Sequence, residues 1–175
     1  AMGDPDPRTN GQGFDRARAA GIAVTTGICE SEARAMIAGF LTRRAKERPF
    51  VTLKLATSLD GRIARPDGTS RWITGPQARA HTHLERSRHE AILVGRGTLQ
   101  ADSPRLDVRL PGLETRSPRR ILLSRTSEPG WETISSPHAI THLAGVDRLM
   151  VEGGAQTASA FLAADLVDRL LLYRA

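Results

Sequence analysis

Cysteine is almost missing from this chain: Cys29 stands alone in 175 residues. One thiol excludes an internal disulfide framework and a cysteine-rich zinc site. Cys29 itself reads as a small buried apolar side chain. Aromatics are scarce at 4%, so the core must be built from Val, Ile, Leu and Ala. No apolar run approaches the roughly 20 residues that a membrane-spanning helix needs, and no signal peptide is visible. No membrane association is expected, and a cytoplasmic location is the default. Metal-ligand spacing is missing too. His81 and His83 lie two apart, on different faces of a helix, and His138 and His142 have no third ligand nearby. No metal is expected. The G-x-S-x-G pattern of a nucleophile elbow does not occur, and no repeat recurs at a fixed period.

What is present is ordinary for a globular domain, at 39% hydrophobic and 25% charged. Lys and Arg number 25 against 19 Asp and Glu, a net charge of +6. That balance favours anionic partners. The bases form no long run, and none alternates with aromatics as in single-strand binders. Nucleic acid is therefore not the expected partner, and a phosphorylated small molecule is.

Residues 1–14 are rich in Asp, Pro, Gly and Asn and read as loop, with a start that looks cut from something longer. Asp15 to Ala20 has helical propensity, and Ile22 to Thr26 reads as a strand. Ser31 to Lys46 is expected as one helix capped by Ser31, with Ala33, Met36, Ile37, Phe40 and Leu41 on its apolar face. Arg43 to Arg48 is a basic exit, which places a domain boundary at 48, separating 1–48 from 49–175.

From Pro49 onward strands and helices alternate, predicting an α/β domain with a largely parallel sheet. Strands are expected at Pro49 to Ala56, Ala91 to Val94, Arg120 to Leu123, Asp147 to Val151 and Leu166 to Tyr173. A short strand can begin at Ile63-Ala64. Turns are expected at Asp60-Gly61 and at Pro66-Asp67-Gly68. Gln77 to Arg88 is a helix with Pro76 in its first turn. Ala78, Leu84 and His81 are expected on its inner side, and Arg79, Glu85, Arg86 and Arg88 on its polar side. Leu106 to Leu110 is a strand or extended loop. Thr126 to Pro137 is irregular, and a short helix begins at Ser136-Pro137.

The stretch Leu149 to Ala160, LMVEGGAQTASA, reads as strand, glycine turn and helix. A helix N-terminus carries unpartnered amides suited to an anion. Glu152 lies at the strand's carboxyl end, where open α/β sheets place ligands. Gly95 and Gly97 follow a second strand, and Thr57, Ser58 and Asp60 a third. All three ends are expected at one edge of the sheet. Two glycine turns there suit a pyrophosphate, and Arg86, Arg88 and Arg109 a second anion.

Four segments carry a resemblance. They are PFVTLKLATSLDGRIARPDGTSRWITG (49–75), ILVGRGTLQADSPRLDVR (92–109), VEGGAQTASAFL (151–162) and LVDRLLLY (166–173). In this order they resemble the reductase domain of the bifunctional riboflavin-biosynthesis deaminase/reductase family. Residues before 49 resemble the tail of its zinc deaminase domain. The resemblance implies a dihydrofolate-reductase-like α/β fold. It implies NADPH-dependent reduction of the ribosyl group of 5-amino-6-(5-phosphoribosylamino)uracil to ribityl. It places Ala56, Trp72, Thr98, Asp102, Gly154, Ala155, Gln156, Thr157, Ala158, Ser159 and Ala160 around NADPH. It places Ser70, Arg86, Leu106, Arg109 and Glu152 at the substrate, the arginines on its phosphate. Lys54, Asp102 and Glu152 become the catalytic candidates, with Asp102 or Glu152 supporting protonation of the amine nitrogen and Lys54 assisting. A non-catalytic nucleotide-binding fragment of the same fold is the alternative.

The departures from the family carry expectations of their own. Its His-x-Glu and Pro-Cys-x-x-Cys zinc motifs do not occur, so neither zinc nor deamination is expected of this chain alone. Its Asp-Asp-Pro stands here as Asp102-Ser103-Pro104. The interval 124–147 is short by about a strand and a helix. The chain also stops early, so truncation at both ends is expected, and a homodimer fits the pattern of relatives.

Overall fold

The computed structural model describes residues 2–6, 8–64 and 73–175. Its strands are β1 (Phe50–Thr57), β2 (Ala91–Gly95), β3 (Arg119–Leu123), β4 (Glu132–Ile134), β5 (Arg148–Val151) and β6 (Arg169–Arg174). They form one six-stranded sheet in the order β4-β3-β2-β5-β1-β6, parallel at every pairing. The chain starts at β1, steps outward through β2, β3 and β4, then returns to insert β5 between β1 and β2. Because all strands point one way, their carboxyl ends share one edge. The expected parallel α/β architecture is therefore present.

The helices are α1 (Gln12–Ala19), α2 (Glu30–Met36), α3 (Ala38–Lys46), α4 (Pro76–Arg86), α5 (Arg96–Asp102) and α6 (Ala155–Ala163). A 3-10 turn, Pro137–His142, follows β4 where a short helix was expected. Strand alternation sorts side chains to two faces. One face carries Val51, Leu53, Leu93, Ile121, Leu149 and Val151, and packs with Ala158 and Phe161 of α6 and with Ile140 and Leu143. The other carries Ile92, Val94, Leu122 and Met150, covered by Leu106. β2 is buried along its whole length, as its unbroken apolar run demands. Each such fully buried aliphatic or Phe side chain contributes roughly 1.5–3 kcal/mol.

Several expectations fail, and the reasons are tertiary. Ile22 to Thr26 is not a strand: the segment is irregular and Ile22 is exposed. β-branched propensity without a partner strand does not make one. Ser31 to Lys46 is two helices, α2 and α3, broken at Ile37. At the break Arg148 of β5 donates to the carbonyls of Ala35 and Met36, at 3.1 and 2.7 Å, capping the end of α2. Ser31 is no cap; its hydroxyl bonds Glu32, and Cys29 precedes the helix in a left-handed conformation. The supposed apolar face is largely open, with Met36 80% exposed. Cys29 is exposed rather than buried. No strand begins at Ile63-Ala64, whereas Asp60-Gly61 does turn. The Pro66-Asp67-Gly68 turn lies outside the described residues. β4 falls within a stretch read as irregular, its three residues too few for a periodic signal.

The basic exit at Arg43 to Arg48 is anchored rather than free. Arg43 donates to the carbonyls of Thr141, Leu143 and Val146. Arg48 grips Asp168 at 2.5 and 2.9 Å, and Asp168 also accepts from the amide of Val51. That anchor delays the last strand to Arg169, three residues after its expected start.

Candidate active site

The site is set by register. In a parallel pair, partnered residues show their side chains on one face. Thr52 pairs with Met150 and Leu53 with Val151, so the next step brings Lys54 beside Glu152. On the other side Lys54 pairs with Leu171 and Ala56 with Tyr173. Lys54, Ala56, Glu152 and Tyr173 therefore share the face toward α4, at the carboxyl edge of the sheet. Pro76 starts α4 with its φ already suited to a helix, and the helix lays His81, Glu85 and Arg86 across that face.

Glu152 is the centre of charge. Its side chain is 7% exposed, and that of Arg86 12%. Arg86 meets it as a fork, Nε to Oε1 at 2.7 Å and Nη2 to Oε2 at 2.9 Å. Lys54 Nζ stands 3.7 Å from Oε2. Burial pushes the Glu152 carboxyl up, but the hydrogen bonds and charge of Arg86, with the charges of Lys54 and His83, outweigh it and hold it below the ordinary carboxylate range. Glu152 is thus ionised and a poor proton donor. Burial works against the Arg86 charge, and Glu152 more than restores it.

The expected roles of the two arginines separate. Arg86 also donates Nη1 to the Asp107 carbonyl at 3.1 Å, so most of its fork is committed within the protein. Arg109 is more open, its Nε 3.3 Å from Asp107 Oδ1 and its side chain 58% exposed. His83, weighed from the sequence only as a metal ligand, joins the two segments. Its Nδ1 lies 3.1 Å from the Asp107 carbonyl and 3.3 Å from the Arg109 amide. Burial and the Arg86 charge hold His83 below its ordinary range.

The glycine turns do meet. The Gly154 amide donates to Thr98 Oγ1 at 3.2 Å, tying the end of β5 to the first turn of α5. Their work is divided, however. A Cβ on Gly95 or Gly153 would collide with Thr157. These two glycines form a notch for Thr157 and draw α6 onto the sheet. Gly97 is open, and Gly154 has only Thr98 near it. α6 has no side-chain cap, and Ala155 and Gln156 are exposed at its start. That end is the part suited to an anion.

Other expected residues are redistributed. Thr157 and Ala158 are buried against the sheet, because a helix packed on β2 must turn one side inward. Ser159 is exposed and Ala160 half-buried, further along α6. Leu106 is 4% exposed, held with a left-handed φ of 57° in the core beside Ile92 and Val94. Its side chain therefore serves packing rather than the cleft. Asp102 is exposed at the end of α5, and Ser103 ends that helix in a left-handed conformation. Ser70 and Trp72 lie outside the described residues. Ala56 is half-buried beside the Lys54 face.

On α4 the inner and outer sides differ from expectation. Glu85 is 1% exposed, while His81 is largely open. Glu85 tolerates burial because Arg169 of β6 and Arg88 reach it at 2.8 and 2.7 Å. Burial raises its pKa, but those two arginines lower it further. A charge that β6 brings from 84 residues away has no local signal.

The chain matches the sequence profile of the RibD C-terminal domain over residues 49–141 and 132–175. It is 34% identical to the riboflavin biosynthesis protein RibD of Escherichia coli over 99% of its own length and 60% of the relative. It superimposes with a TM-score of 0.86 on the diaminohydroxyphosphoribosylaminopyrimidine deaminase/5-amino-6-(5-phosphoribosylamino)uracil reductase of Thermotoga maritima. That match has 31% identity over 99% of this chain and 57% of that one. The chain thus spans about three-fifths of the length of the relatives it matches. A dihydrofolate reductase from Enterococcus faecalis aligns over 71% of this chain and 68% of its own, at TM-score 0.52 and 19% identity. This likeness shows the fold alone, the dihydrofolate-reductase-like architecture expected from the sequence.

Proposed function

The chain belongs to the RibD C-terminal domain family, and from that premise we propose that it reduces the phosphoribosyl group of 5-amino-6-(5-phosphoribosylamino)uracil to a ribityl chain with NADPH. The observation that carries the reading is the buried Arg86–Glu152–Lys54 cluster beside the uncapped start of α6. It is a charged site next to an anion-binding turn, both at the carboxyl edge of a parallel sheet.

The residues fit the cofactor. Gly97 is open, and Ala155 and Gln156 lie exposed at the uncapped start of α6, where a pyrophosphate would be held. NADPH, when bound, supplies the hydride. The acceptor is C1 of the sugar in its open, imine form. As C1 gains hydride, the C=N electron pair moves to nitrogen, which takes a proton. Lys54 is the group suited to deliver it, since Glu152 is held ionised and Lys54 regains its proton from water. Glu152 fixes the ammonium and can accept from a sugar hydroxyl. Arg86 orients Glu152, and Arg109 takes the phosphate. Asp102 stays a candidate at the cofactor edge. The reading assigns the reduction, not the deamination, to the residues present.

The test is a thermal melt with and without NADPH, then NADPH oxidation with the deaminated substrate. A ligand-dependent rise in stability and turnover that Lys54→Ala abolishes are expected; Asp102→Asn tests the second carboxylate. Binding without turnover favours the nucleotide-binding alternative. The absence of both binding and turnover overturns the proposal.

A further inference from the structure

We propose that Tyr173 and His81 are positioning residues that hold the Lys54 ammonium against Glu152. The proposal deepens the reductase reading, since it rests on Lys54 meeting the reacting centre.

Tyr173 is the one tyrosine of the chain. Register places it on β6 beside Ala56, one side-chain step beyond Lys54 on the same face. The Lys54 Nζ stands 6.0 Å from its ring centroid, within reach of the attraction between a cation and an aromatic face. The ring is anchored at its far end: Tyr173 OH and His81 Nδ1 are 2.7 Å apart. The two rings also meet edge-on, at 5.9 Å between centroids and 71° between planes.

His81 belongs to the same helix as Arg86, so the contacts close a loop. Glu152 holds Lys54, Tyr173 covers Lys54, His81 holds Tyr173, and α4 carries His81 back to Arg86, which holds Glu152. Behind His81, Glu85 Oε1 stands 4.0 Å from Nε2. Glu85 is itself fixed by Arg169 and Arg88. Lys54 of β1, Glu152 just after β5, Tyr173 of β6 and both His81 and Arg86 of α4 thereby set a single ammonium. A lysine has a long flexible stem and no preferred direction of its own, so its aim must come from neighbours. A misplacement of about 1 Å at a reacting centre can cost about 100-fold in rate.

The test uses Tyr173→Phe, His81→Ala and His81→Gln in the full chain. Tyr173→Phe keeps the ring and removes the hydroxyl. It and His81→Ala are expected to lower kcat about 10-fold or more, with KM for NADPH held within about twofold. His81→Gln, whose amide can still accept from the phenol, is expected to restore most of kcat. A second readout is independent of turnover. The chain has two lysines, Lys46 and Lys54, so carbon-labelled lysine gives two Cε resonances, assigned with Lys46→Arg. Only that of Lys54 should move in Tyr173→Phe and His81→Ala, and it should return in His81→Gln. A Lys54 resonance unmoved in both variants overturns the proposal, whether or not the enzyme turns over. So does an unchanged kcat where Lys54→Ala is inactive. If the wild type does not turn over but the resonance moves, the positioning stands and the reductase reading falls.

Discussion

Replacing Arg86 and Glu152, singly and together, tests whether the pair holds the carboxyl edge of the sheet. Glu152→Gln keeps the shape and deletes the charge, leaving a buried guanidinium with half its fork unmatched. Arg86→Met leaves a carboxylate that is 7% exposed with Lys54, at 3.7 Å, as its nearest counter-ion. Removing one partner of a buried pair costs about 3–5 kcal/mol, because the other is left uncompensated. The lower end applies here, since Lys54 and the Asp107 carbonyl remain. For a chain of this size a loss of about 3 kcal/mol lowers Tm by about 6–12 °C. The double variant strands neither charge, so it should cost at least about 2 kcal/mol less than the sum of the singles. Acid weakens the same pair. Glu152 sits below its ordinary value of 4.5 when folded. The folded chain therefore binds fewer protons than the unfolded one between those values. The pair's contribution is complete above about pH 4.5 and is lost as pH falls through the folded value. Denaturant unfolding of all four proteins across that range measures both effects. Costs that add within about 0.5 kcal/mol, or a gap between wild type and Glu152→Gln that does not close in acid, would refute the argument.

Two further outcomes follow from packing and protonation. Gly95→Ala should destabilise by about 1–3 kcal/mol, as overpacking does, because its new methyl meets the Thr157 hydroxyl. Thr157→Ala should rescue it, the next atom lying at 3.6 Å, but should not rescue Gly153→Ala, whose methyl meets the Thr157 Cβ itself. Thermal melts of the four variants check this pattern. His89 is buried, with Nδ1 2.6 Å from the Glu85 carbonyl and Nε2 3.0 Å from Thr52 Oγ1. The neutral ring satisfies both partners, donating to one and accepting from the other. Burial holds it below its ordinary 6.5, despite the raising effect of Glu85. Its contribution is thus full above pH 6.5 and declines as pH falls from there toward the folded value. His89→Gln should flatten that slope in urea titrations at about pH 7.5 and about pH 5.5.

The sequence by itself determined the parallel sheet and its working edge. Unbroken apolar runs such as Ala91 to Val94 and the helices between them allow little else. Glycine and carboxylate at the strand ends singled out the edge at which a ligand is proposed to sit. Those signals are local, because period and turn chemistry act over a few residues. Only the tertiary structure decided how the polar groups pair. Arg86 was expected at a phosphate, and its fork on Glu152 was not foreseen; Leu106 was expected at substrate, and its side chain fills the core. Glu85 was expected outside and is buried because Arg169 arrives from the last strand. The glycine turns were expected as one cradle, but half of them accommodate Thr157. The partner of a buried charge is set by strand order and register, which bring residues dozens of positions apart onto one face. No window of the sequence contains that distance.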